Sequence, residues 1–114
     1  MNEVDSQIEQ VELSIDSAKD AIAGMDAMLR LTKNKDYIRV IDEGYLREEA
    51  IRLCHLRADY NFRSDEDQDS LMKAIDAIGQ FRQYAASIIQ MGRAAENALK
   101  ADEQTHEELL AEAV

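Results

Sequence analysis

Val4, Ile8, Val11, Ile15, Ala18, Ile22, Met25 and Leu29 follow one another at spacings of 4, 3, 4, 3, 4, 3 and 4 residues. A strand face repeats every two residues, so this is not a strand pattern. A mean period of 3.5 is the seam of a helix lying along another helix. One line of the seam, Ile8, Ile15, Ile22 and Leu29, is mostly β-branched. The opposite face carries Glu, Asp, Gln and Ser. A helix with so narrow an apolar stripe is marginal in water by itself and requires a partner helix. The spacing predicts a helix over residues 3–32, with Gly24 off the seam.

The partner is found further along the chain. Asn34 is placed to end the first helix in the left-handed region, and Asp36 to cap the next. A short helix is expected over 36–43, through Tyr37, Ile38, Val40 and Ile41, with Gly44 as its end. A second runs over 45–58, with Leu46, Ala50, Leu53 and Cys54 on one side. After a second break at 58–64, apolar residues recur at Leu71, Ile75, Ile78, Phe81, Ala85, Ile88, Gly92, Ala95 and Leu99. One long helix over 65–111 follows, roughly 70 Å in length at 1.5 Å per residue. The chain has no proline and only 4 glycines, and 32% of its residues are charged, as long helices require. The expected fold class is all-α, an antiparallel helical hairpin or coiled coil. Two short helices sit at its bend, and residues 1–114 form a single helical domain.

Such a hairpin leaves apolar surface for other molecules. Ile88, Ile89 and Met91 point in different directions, so the last helix is apolar most of the way round there and is expected to meet more than one neighbour. Ala74, Ala77, Gly79, Ala85, Ala86, Gly92, Ala94, Ala95 and Ala98 would let a neighbouring helix come close. The expected packing surfaces are the seam (Val4, Ile8, Val11, Ile15, Ile22, Met25, Leu29) and the last helix (Ile88, Ile89, Leu99). Tyr37, Tyr45, Tyr60 and Phe62 fall near the two breaks. They read as packing at the bend or as the anchor of an interface.

Charge excludes several function classes. The net charge is -11, and it is uneven. Residues 1–34 hold seven acids and three bases, 35–63 six of each, and 64–114 eleven acids and four bases. There is no basic patch with interleaved aromatics, so direct nucleic-acid binding is not expected. Cys54 is alone, which excludes an internal disulfide and suits a reducing compartment. The acidic N-terminus is not a signal peptide, and no apolar run approaches membrane-spanning length.

Three constellations could carry chemistry. From Asp65, oxygen-bearing side chains recur at loop positions 1, 3, 5 and 12 (Asp65, Asp67, Asp69, Asp76), the spacing of an EF-hand calcium loop. Position 6 is Ser70 where glycine is needed, position 12 is Asp where a bidentate Glu is needed, and Leu71, Met72, Ile75 and Ile78 already run at helical spacing. Ser64 as N-cap with Asp67 at N3 explains more, the acids sitting in the first helical turn. Glu103 and His106 have the Glu-x-x-His spacing of di-iron bundles, but a second copy and further inward carboxylates are missing. Cys54 and His55, about 100° apart on a helix, form no dyad, and Cys54 is expected to act as a small buried hydrophobe. No catalytic residue, metal site, cofactor or small-molecule substrate is expected.

The stretches Asn34-Lys-Asp-Tyr37, Glu43-Gly-Tyr-Leu-Arg-Glu-Glu-Ala50 and Ile78-Gly-Gln-Phe-Arg-Gln-Tyr84 resemble a family of small acidic helical proteins of tailed bacteriophages. The resemblance spans most of the chain and assigns no residue a role. It implies a virion or the cytoplasm of an infected bacterium as the setting. The function expected is therefore a non-enzymatic virion structural or assembly protein, acting through helix packing, protein partners and homo-oligomerisation. The alternative is an acidic inhibitor that imitates DNA charge on a host nucleic-acid-binding protein. A metal-carboxylate bundle enzyme is a third, weaker reading.

Overall fold

A computed structural model describes residues 2–114 and makes the chain all-α, with no strand among the described residues. Helix α1 spans Glu3–Lys33. A helical run follows: α2 (Lys35–Tyr37), a π-helical stretch (Ile38–Glu49) and α3 (Ala50–Ala58). After a 3-10 turn at Tyr60–Phe62 comes α4, Asp65–Ala113, of 49 residues. The contacts divide the chain into two compact units. One combines the chain's two ends, through Leu29 and from Ser87 onward, and the other is Arg30–Ala86.

The first unit is the helical hairpin. Asn2 caps α1, its side-chain oxygen accepting from Asp5 N at 2.8 Å. The pairing of α1 with α4 runs in opposite directions. Nε2 of His106 lies 3.1 Å from Oε1 of Glu12. Ser14 donates to Asp102 at 2.6 Å, and Gly24 stands opposite Ile88. Ile15, Ala18, Met25, Met28 and Ala95 are buried between the helices. Val4, Ile8, Val11, Ile22 and Leu29 are half-buried beside them. The strict seam thus passes over Met28, which is better buried than Leu29. The stripe Ala18, Ala21, Met25, Met28 is a second line at 3–4 spacing, and a core-facing stripe is wider than a single a/d line.

Gly92 brings the two backbones together. A Cβ added there would lie 2.2 Å from Cβ of Met25 and 2.8 Å from its Cγ and Sδ. Gly92 is buried, and only a residue without Cβ allows this approach.

The second unit is built on Leu53, Leu71 and Ile78, all buried. Tyr45, Leu46, Ala50, Leu56, Phe62, Ala74 and Ile75 pack around them. Tyr45 meets Phe81 edge to face, with ring centroids 6.0 Å apart.

Here the structure corrects the boundaries read from sequence. The helix does not end at Gly44, and the expected segments 36–43 and 45–58 are one helical run. The half-buried positions explain why. Ile38, Asp42, Leu46 and Ala50 recur every fourth residue, as do Tyr37, Ile41, Tyr45, Glu49 and the buried Leu53. That period exceeds the 3.6 of an α-helix, and i→i+5 bonding widens each turn enough to keep both lines inward. Gly44 has no positive φ. A Cβ on it would stand 3.2 Å from the carbonyl oxygen of Arg39, five residues back. Asn34 is extended (φ -73°, ψ 128°) rather than left-handed. It, and not Asp36, is the N-cap of α2, its side chain accepting from the N–H groups of Asp36 and Tyr37 at 3.0 Å each.

The start of α4 follows the capping pattern. Ser64 Oγ accepts from Asp67 N at 3.1 Å, and Asp65–Asp76 lies wholly inside the helix. There is no loop for calcium to occupy.

Candidate functional site

The α1–α4 pair has two unlike flanks. On one, Glu12, Ile15, Asp16 and Lys19 of α1 face Glu103 and His106 of α4 across a shallow groove. The groove is charged, and its His106 ring bonds to Glu12 as described. Among the described residues, no group of three or more His, Cys, Asp and Glu side chains is placed to hold a metal ion.

The other flank carries a groove of 410 Å³ without a single charged side chain. Ala18 and Ala95 form its buried floor. Ser14, Ser17 and Ala21 of α1 make one wall, and Met91, Ala94 and Ala98 of α4 the other. The Ser14 hydroxyl is already used by Asp102, so that end makes no unmet polar demand. One large apolar side chain of this groove remains in water: Met91 is 62% exposed. Among the surfaces described, this one has the chemistry of a helix-packing site: small residues that admit a close neighbour, beside the exposed Met91 side chain.

The second unit has a third groove, lined by Cys54, Arg57, Ala58, Arg63 and Gln68. Its polar groups serve the end of α3. The Arg57 carbonyl accepts from Arg63 Nη1 at 2.7 Å and from Gln68 Nε2 at 3.0 Å, and Gln68 also reaches the Phe62 carbonyl. These bonds satisfy carbonyls that a helix terminus leaves without partners. Cys54 is exposed, contrary to the expectation of a buried hydrophobe. Leu53 takes the inward position, and the next residue on a helix turns about 100° away.

The expected interface residues therefore scatter. Tyr45 and Phe62 belong to the core of the second unit, whereas Tyr60 is 90% exposed. Tyr37 is half-buried, and burial, then the Asp42 carboxylate, push its phenol above the ordinary value. Asp42 is five residues on, a neighbour across a π turn. Ile88, Ile89 and Leu99 are half-buried. The groove residues Ser14, Ser17 and Ala21 were not singled out from sequence. Their signal is a lack of charge along one line of α1, which a search for apolar seams passes over.

Comparison of the chain with protein-family models, with curated proteins and with solved structures finds no match.

Proposed function

We propose that the chain is a non-enzymatic assembly protein that works through helix packing and self-association, as a structural or morphogenesis component of a tailed-phage virion. The phage setting rests on the resemblance of the stretches at 34–37, 43–50 and 78–84. The mode of action rests on the surface. Among the described residues no large side chain is fully buried, while Leu13, Met72, Tyr84 and Met91 stand in water. Exposed apolar side chains of this kind are the surface that such an assembly would cover.

The test is genetic and structural. Removing the coding sequence from the parent genome is expected to stop particle maturation while DNA synthesis continues, as seen by electron microscopy of infected cells. Normal particles at normal yield would overturn the reading.

A further inference from the structure

We infer that the stretch Ile38–Glu49 is a helix with two registers, π while it is docked on α4 and α when it is released, and that Arg82 is the catch between them. Every residue involved lies in the second unit, Arg30–Ala86.

The π form is imposed on this stretch rather than intrinsic to it. π-Helices occur mostly as single turns inside α-helices, and this one runs for 12 residues. Nothing in its own sequence forbids the α form: it has no proline, and Gly44 is not at positive φ. What the π form secures is the inward side. The line Tyr37, Ile41, Tyr45, Glu49, Leu53 keeps step with the core only at a repeat of four. At that repeat the 12 residues make three turns, against roughly 3.3 turns in an α-helix. An α register therefore turns one end of the stretch by about a third of a turn against the other, and Tyr37 and Leu53 cannot both face inward.

Two adjacent residues of α4 grip the stretch near its end. Phe81 meets Tyr45 edge to face, and Arg82 Nη2 donates to the Leu46 carbonyl at 2.9 Å. The second contact is specific to the register. Where i→i+5 bonding gives way to i→i+4, one carbonyl is passed over and needs a donor from elsewhere. That change falls at Ala50, where α3 begins. The Ala50 N–H is directed to the Arg47 carbonyl, past Leu46. In a continuous α-helix the Leu46 carbonyl would take the Ala50 N–H instead. The guanidinium thus serves a carbonyl that is short of a donor in the π register alone, and its bond favours that register selectively.

Gly44 is the crowded point. A Cβ there would stand 3.2 Å from the carbonyl oxygen of Arg39, the i→i+5 acceptor. Alanine at this position presses on the bond that defines the π turn, and it is the better α-helix former.

Nuclear magnetic resonance on the full chain tests this, since couplings across hydrogen bonds identify the carbonyl that each amide meets. In the wild type the Tyr45 amide should couple to Val40, five residues back. In Arg82→Met/Gly44→Ala it should couple to Ile41, four residues back, with circular dichroism showing unchanged helix content. Arg82 is exposed, so its replacement opens no cavity. Arg82→Met alone should speed amide exchange over residues 42–50 about fivefold, the weight of one hydrogen bond, and leave the Ile78 amide as it was. Arg82→Lys, which keeps a cationic donor, should exchange like the wild type. Coupling of Tyr45 to Val40 in the double variant overturns the second register, and so does melting of the stretch in place of a change of partner. Equal acceleration by Met and Lys, or none by either, overturns Arg82 as the catch. Coupling of Tyr45 to Ile41 in the wild type overturns the whole proposal.

Discussion

Replacing Gly92 by alanine should force α1 and α4 apart, although the same change elsewhere in these helices should strengthen them. Alanine in a helix interior is favoured over glycine by about 0.5–1 kcal/mol, because glycine loses more backbone freedom on folding. At Gly24 the new methyl would meet Cγ2 of Ile88 at 3.8 Å, an ordinary contact, so the full gain should appear. At Gly92 it would arrive 2.2 Å from Cβ of Met25. The Met25 Sδ and Cγ can swing aside by a rotamer change, but Cβ moves only with its backbone. Carbon atoms rest about 3.5–4 Å apart, so the helices must separate by more than about 1 Å. Overpacking of this kind costs about 1–3 kcal/mol. A clash with backbone-anchored atoms belongs at the upper end of that range. Set against the helix gain, the net loss should be about 2 kcal/mol. Urea unfolding followed by circular dichroism, at one fixed protein concentration, measures it. Gly24→Ala should raise the midpoint and Gly92→Ala lower it. Met25→Ala/Gly92→Ala should not recover, since alanine keeps the offending Cβ, whereas Met25→Gly/Gly92→Ala should regain part of the loss. A Gly92→Ala midpoint at or above wild type would refute the close crossing.

Three other outcomes follow from the described contacts. Leu53→Ala should cost about 2–5 kcal/mol in the same urea assay, because Leu53 is buried against Leu71 and Ile78 and leaves a cavity there; a loss below 1 kcal/mol would place the core of this unit elsewhere. Ser64→Ala should cost about 1 kcal/mol by removing the bond to Asp67 N, with Ser64→Asp restoring it; an equal loss in both variants would exclude capping. Tyr37 should ionise above the ordinary phenol value of 10.0 in a phenolate absorbance titration, burial being the larger cause and Asp42 the smaller. Because its folded value is raised, its contribution to stability is full below the ordinary value of 10.0 and fades as pH climbs through the folded one. Asp42→Asn should bring it only partway down, and titration of Tyr37 at the ordinary value would contradict the burial.

The hairpin was legible because its signal is periodic. The seam from Val4 to Leu29 and the apolar line from Leu71 to Leu99 both follow helical spacing, so the class of fold and the extents of α1 and α4 came through to within two residues. Ser64 and Asp67 were equally readable, as capping is local chemistry. The region of 34–58 was not. A template period of 3.6 turns its four-residue repeat into a break, and Gly44 then looks like a terminator. The π-helical stretch keeps one continuous run, and nothing in a single glycine distinguishes the two cases. Cys54 was misplaced for a related reason: it adjoins Leu53, and a change in helical pitch upstream decides which of the two faces the core. The groove escaped notice because serines and alanines give little signal until two helices set them side by side.

The hairpin also sets a schedule for synthesis. Ser14 and Asp102 are 88 residues apart in the chain, and Glu12 and His106 are 94 apart. A ribosome adds about 5–20 residues per second, so α1 waits roughly 5–20 seconds for the segment it pairs with. The contacts of the other unit, such as that of Arg82 with the Leu46 carbonyl at a separation of 36, become available sooner. During the wait the seam of a newborn α1 is open to any matching helix nearby.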